Sequence, residues 1–304
     1  MPHDHIHDSH APAPPRFGAA FAVGATLNIG LVAAQLVYGI AAHSMALLAD
    51  AVHNAGDVLG LLLAWGSFVL TRRRPSARRT YGWGRSSILA ALANAVVLLI
   101  SVGVIAVEAL QRLVTPSPVA GTTVIWVAGA GILVNGITAV LFARGHEDLN
   151  IRATFQHMAG DAAISAGVVL AAIAIVLTGR LWIDPLASLA IAALITATTW
   201  SVLRDAVNLA MDGVPARIAQ HEVEAWLREL PGVTEVHDLH IWGLSTTEAA
   251  LTAHLVRAEQ VDDQELIRTA CHGLGARFRI GHATLQVETT AVAESCRLRS
   301  GDVV

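Results

Sequence analysis

Six apolar stretches, at about 17–40, 46–70, 86–110, 121–143, 154–178 and 184–206, leave few folds open to this chain. Each reaches the ~20 residues that a helix needs to cross the hydrocarbon core of a bilayer. Charge is sparse inside them: the first and fourth contain no Asp, Glu or Arg, and the fifth contains only Asp161. Only 14% of all residues are charged, against about 25% in soluble domains. The sequence therefore predicts a multi-pass helical membrane protein with six spans over residues 17–212. An even number of crossings puts both ends of the span region on one side.

Arginine placement says which side. Arg72, Arg73, Arg74, Arg78, Arg79 and Arg85 crowd the loop after the second span, Arg144 and Arg152 follow the fourth, and Arg16 precedes the first. Only Arg112 and Arg180 lie in the opposite loops. By the positive-inside rule the arginine-rich side, and with it both termini, faces the cytoplasm of the cell's inner membrane. The net charge of −4 comes with no concentrated basic patch, so nucleic acid is not an expected partner; the lipid bilayer is.

After Asp212-Gly213 the character changes. Residues 213–290 mix charges of both signs with short apolar runs, reading as helix (218–230), strand (235–243), strand (248–257), helix (262–277) and strand (282–289). Pro231-Gly232 and Gly281 punctuate them. This α-β-β-α-β order predicts a small antiparallel or mixed sheet with helices on one face, an α+β domain. The ends, 1–16 and 291–304, are expected to be disordered tails. The first is rich in histidine (His3, His5, His7, His10), a composition suited to loose metal collection. Cys271 and Cys296 form no CxxC, so neither a disulfide nor a thiolate metal site is expected.

Ionisable groups within a span are costly, roughly 2.5–3.5 kcal/mol each on insertion scales, and so mark function. In LLADAVHNAGDVLG, residues 47–60, the residues Asp50, His53, Asn54 and Asp57 share one helix face at i, i+3, i+4, i+7. The fifth span repeats the pattern in FQHMAGDAAISAG with His157 and Asp161, extended by Ser165. One His-x-x-x-Asp pair could simply bond a neighbouring helix, but two of identical spacing suggest facing halves of one site. Alanines and glycines flank both pairs and permit close helix approach. Two imidazoles and two carboxylates make a tetrahedral set suited to Zn²⁺, whose charge the carboxylates neutralise. Protons compete with metal for the same atoms, so such a site suits exchange of Zn²⁺ for H⁺. Asp50 and Asn54 have no counterparts on the fifth span and read as supporting residues. Asn28, Gln35, Asn94 and Asn135 read as bonds between helices, and Asp184-Pro185 as the capped start of the sixth helix.

LLADAVHNAGDVLG, YGWGRSSILAALANA, HMAGDAAISAGVV, WIDPLASLAIA and VHDLHIWGL, in this order, resemble the cation diffusion facilitator family, and its zinc-transporting branch in particular. The resemblance implies a homodimeric antiporter exchanging a divalent metal for protons, with six spans and a cytoplasmic metallochaperone-like domain. It assigns His53, Asp57, His157 and Asp161 to the transport site. It also implies a regulatory metal site at His237, His254 and Glu288. A histidine common among relatives is here Gln286, and His240 is a candidate substitute. Arg85 and Asp212 match a charge interlock of some members. The loop between spans two and three has no His, Asp, Glu or Cys, so no metal site is expected there. Zn²⁺ is the expected substrate and regulatory ligand; Cd²⁺ and Co²⁺ share these ligands. Two other readings stand beside this one: a membrane-bound metal sensor signalling through 214–290, and an intramembrane zinc enzyme, which no HExxH or Gly-x-Ser-x-Gly motif supports.

Overall fold

The computed structural model describes residues 16–143 and 149–299. The histidines of the N-terminal tail, Arg144 and the last five residues lie outside the described residues. Six long helices come first: α1 (Arg16–Ala41), α2 (Met45–Thr71), α3 (Ser86–Val114), α4 (Gly121–Ala143), α5 (Leu149–Thr178) and α6 (Ile183–Ala210). Among the described residues, α2 to α6 each carry a stretch long and apolar enough to cross a membrane, and Thr26–Ala41 of α1 is a shorter apolar helix. Large apolar side chains such as Val37, Ile100, Trp126 and Leu170 lie exposed on these helices. A helix bundle in lipid wants that outer surface, since its backbone groups are satisfied within each helix.

The chain divides into two compact units, Met1–Val58 with Leu98–Thr196, and Leu59–Val97 with Ala197–Val304. The first holds its core between the N-terminal part of α2, the later part of α3, the start of α4, the later part of α5 and the start of α6. Ala46, Ala49, Ala128 and Ala172 are buried there with Leu47, Val124, Val168 and Ile195. Alanine at so many contacts lets the helices approach closely, so packing rather than a hydrophobic effect holds them in lipid.

α2 starts at a sharp turn in which His43 takes the left-handed backbone conformation (φ 53°). Its first amides are satisfied from another helix. Met45 N donates to Asp184 Oδ2 at 2.6 Å, and Ser44 Oγ donates to Asp184 Oδ1 at 2.5 Å. Asp184 does not cap its own helix, as the Asp-Pro signal suggested. It lies within the first turn of α6, and its carboxylate serves the buried N-terminus of α2, where unpaired N–H groups and the positive end of the helix dipole favour an anion. The site-bearing helix is thereby tied to α6. Gln35 does bond between helices, to α2 (detailed below), whereas the buried Asn135 side chain makes no hydrogen bond among the described residues.

The second unit contains the α+β domain. α7 (Gln220–Arg228), β1 (Val233–Gly243), β2 (Ala249–Arg257), α8 (Asp263–Phe278) and β3 (His282–Thr289) follow the expected order. The sheet runs β1-β2-β3, antiparallel then parallel, so the mixed form of the expectation holds. Leu251, Ala253 and Leu255 of β2 pack with Val223 and Leu227 of α7 and Leu266, Ala270 and Leu274 of α8. Strand alternation then turns Thr252 and His254 to the opposite face. α8 begins at Asp262, whose side chain accepts from Glu265 N at 2.9 Å. Gly273 is required where α8 meets α7, because a Cβ there would come within 2.2 Å of the Trp226 ring.

Residues 291–304 were expected to be disordered; over 291–299 the structure corrects this. A short helix, α9 (Thr290–Ser295), continues directly from β3, with Ala293 fully buried. Arg299 then makes two bonds to the Glu235 carboxylate, at 3.0 and 2.8 Å. One buried alanine and one ion pair give no periodic apolar signal, which is why composition alone read this segment as a tail.

Candidate functional site

Two clusters of metal-ligating side chains stand out, one in each unit. In the first, α2 and α5 present their polar seams to each other. His53 Nε2 lies 3.1 Å from Asp161 Oδ1, and His157 Nε2 lies 3.4 Å from Asp57 Oδ2 and 3.8 Å from Asp161 Oδ2. Ligand atoms of His53, Asp57 and Asp161 all fall within 4.8 Å of one another. The two imidazole rings meet edge to face with centroids 6.4 Å apart. Buried His53 Nδ1 and Asp57 Oδ2 make no hydrogen bond among the described residues. Ring nitrogens and carboxylate oxygens brought this close together are a donor set that suits a divalent ion. Burial is graded: the Asp161 side chain is 3% exposed and that of His157 47%. One rim is thus open, which suits an ion that comes and goes.

Asp50 and Asn54 lie next to this group and belong to a second polar layer. Gln35 of α1 donates to Asp50 Oδ2 at 2.6 Å and accepts from Asn54 Nδ2 at 3.0 Å; Ser165 of α5 donates to the same Asp50 oxygen at 2.9 Å. Gly131 of α4 makes room for it, since a Cβ there would come within 2.9 Å of Ser165 Oγ and 3.4 Å of Gln35 Nε2.

The second cluster covers the face of the sheet turned away from α7 and α8. His237 and His254 are cross-strand partners, and Gln286 pairs with His254 on the other side, two residues before Glu288. His254 Nδ1 lies 3.0 Å from Glu288 Oε1, 3.3 Å from His237 Nε2 and 3.7 Å from Cys296 Sγ. Ligand atoms of His237, His254, Glu288 and Cys296 all lie within 4.8 Å of one another. Buried His237 Nδ1 and Glu288 Oε2 make no hydrogen bond among the described residues. The donor set of two nitrogens, one oxygen and one sulfur fits a tetrahedral Zn²⁺.

His240 stands apart from this four-residue group. A β-bulge inserts one residue between His237 and His240, with Asp238 in the left-handed region (φ 50°). His240 consequently pairs with Thr252, and its Nε2 bonds Asp238 Oδ1 at 2.8 Å, outside the cluster. Cys296 joins the group instead, although its sequence position indicated no thiolate site. Its signal was absent because a lone cysteine seven residues beyond a strand reveals nothing until α9 folds back. Gln286 has a supporting place: its amide donates to Glu288 Oε1 at 2.6 Å. Arg85 and Asp212 form an ion pair, both side chains about half exposed.

Comparison with known proteins covers nearly the whole chain. Residues 21–209 match the family described as the cation efflux transmembrane domain, and residues 215–290 match the cation efflux protein cytoplasmic domain. The zinc transporter ZitB of Escherichia coli is 35% identical over 99% of this chain and 97% of its own. A cadmium, cobalt and zinc/H(+)-K(+) antiporter of Bacillus subtilis is 32% identical, covering 86% of each chain. The human proton-coupled zinc antiporter SLC30A2 is 30% identical over 84% of this chain and 72% of its own. Among solved structures, the metal-bound C-terminal domain of the CzcD transporter from Cupriavidus metallidurans is 36% identical, covering 23% of this chain and 99% of that domain, with a TM-score of 0.22.

Proposed function

Because the chain belongs to the cation diffusion facilitator family, a family of metal-efflux transporters and not of enzymes, we propose that it carries Zn²⁺ out of the cytoplasm in exchange for protons. The observation that carries the reading is the convergence of His53, Asp57 and Asp161 within 4.8 Å, with His157 against both carboxylates. Two carboxylates and two neutral imidazoles cancel the charge of one divalent ion in a low-dielectric surrounding. Without metal the same atoms are proton acceptors, so binding one expels the other. The zinc, proton-coupled and cadmium/cobalt names of the relatives support the substrate class and the coupling.

The arginine distribution supports a cytoplasmic arginine loop and α+β domain, both termini inside, at the cell's inner membrane. The match to the family's cytoplasmic domain supports assembly as a homodimer. His237, His254, Glu288 and Cys296 would hold a resident regulatory Zn²⁺ through two imidazoles, a carboxylate and a thiolate. The Arg85–Asp212 ion pair would link the start of α3 to the end of α6.

The test is zinc flux in proteoliposomes under an imposed pH gradient. Asp57→Ala and His157→Ala are expected to lower it at least about tenfold while the protein stays monodisperse. Undiminished flux in both would overturn the assignment.

A further inference from the structure

The polar layer beside the transport site contains a carboxylate that is not among the four proposed ligands. Asp50 is fully buried. One of its oxygens, Oδ2, accepts from Gln35 at 2.6 Å and from Ser165 at 2.9 Å. The other, Oδ1, is buried with no hydrogen-bond partner among the described residues. The charged or titratable groups facing it are His53 on its own helix and Asp161 on α5; α1 presents Gln35 to it, and Gly131 of α4 backs the Gln35–Ser165 contact. No arginine is among these neighbours, so an ionised Asp50 needs its compensating charge from elsewhere.

Two sources exist. A divalent ion bound by His53, Asp57, His157 and Asp161 would sit about one helical turn away, since Asp50 precedes His53 by three residues and Ser165 follows Asp161 by four. When that ion leaves, its charge no longer stabilises an ionised Asp50, and a proton on the unpartnered Oδ1 takes its place. Metal in one layer and proton in the other therefore exclude each other through space, without sharing an atom.

We infer that Asp50 is a proton-binding residue of the transport cycle, placed on the external side of the metal layer. The inference rests on the antiport reading and its orientation, in which α2 begins and α5 ends outside, so that both Asp50 and Ser165 lie outward of the ligands. As the metal departs outward, a lone pair of Oδ1 takes a proton from the external solution and the carboxylate becomes a neutral acid. As a new metal enters from the cytoplasm, its charge breaks that O–H bond and the proton leaves inward. Gln35 and Ser165 keep the carboxyl oriented with Oδ1 free.

Asp50→Asn keeps an acceptor for Gln35 and Ser165 but cannot titrate. In purified protein it is expected to release about one proton fewer per zinc bound than the parent. In proteoliposomes, zinc-for-zinc exchange without a pH gradient should stay within about twofold, while acceleration by a pH gradient falls at least about fivefold. A variant that keeps the parent's proton release and gradient response overturns the inference and leaves the antiport reading standing. A parent protein indifferent to the gradient overturns both. Should Asp50→Asn not fold, Ser165→Ala removes one donor to the ionised carboxylate, and the acid midpoint of zinc flux should move up by at least about half a pH unit; an unmoved midpoint then overturns the inference.

Discussion

The intramembrane and cytoplasmic clusters use the same chemistry in opposite settings. The first takes two histidines and two aspartates from single faces of two helices, and leaves the His157 side chain 47% exposed. The second takes two histidines and a glutamate from three paired strands and adds a cysteine brought in by α9; its His237 and Glu288 side chains are 5% and 2% exposed. Harder ligands and an open rim favour an ion in transit, whereas a thiolate on a closed sheet favours an ion that stays. Rigidity follows the same division. A strand ladder fixes the three sheet ligands in register, while the helix ligands depend on packing between helices at alanine contacts.

Breaking the first site should therefore stop flux without emptying the second. Asp161→Ala removes the carboxylate that approaches both imidazoles. Zinc flux in proteoliposomes is expected to fall more than about 100-fold, while the protein still retains one zinc per subunit after desalting. Loss of both would collapse the distinction between transit and resident sites. The converse is smaller. Cys296→Ser exchanges a soft ligand for a hard, neutral one, and zinc retention against a competing chelator should weaken about 10- to 100-fold. Flux at saturating zinc should change less than about twofold, and a change as large as that of Asp161→Ala would show that the thiolate serves transport itself.

The two clusters also differ in how far the sequence discloses them. His53, Asp57, His157 and Asp161 are legible because a membrane span tolerates few ionisable groups, so a repeated i, i+4 spacing stands out against an apolar background. The six helices and the α-β-β-α-β order are legible for the same reason, periodicity over long stretches. His237, His254 and Glu288 came from family resemblance rather than from pattern, since histidines in a polar domain carry no such contrast. His240 stands apart from that group because a bulge shifts register by one residue, which the sequence does not disclose. Asp184 was read as a local cap because its true partners, Ser44 and Met45, lie about 140 residues away. Cys296 was missed because its position depends on a six-residue helix too short to announce itself.

The smallest effect concerns how that helix is held. Arg299 bonds both oxygens of Glu235, and this contact holds the Glu235 carboxyl below its ordinary range. A carboxyl depressed on folding contributes stability that is present above its unfolded value, near 4.3, and is lost as pH falls through the lower folded value. Attachment of residues 290–299 should accordingly be constant from neutral pH to about pH 5 and weaken below about pH 4. Arg299→Ala should raise amide exchange at Ala293 to Cys296 at neutral pH, and zinc retention should drop no more than about threefold, because the pair is solvent-exposed. The pH arm must be read from amide exchange, since acid competes with metal for ligand atoms in its own right. Equal exchange in parent and variant at neutral pH would mean that burial of Ala293, not the ion pair, delivers Cys296 to the cluster.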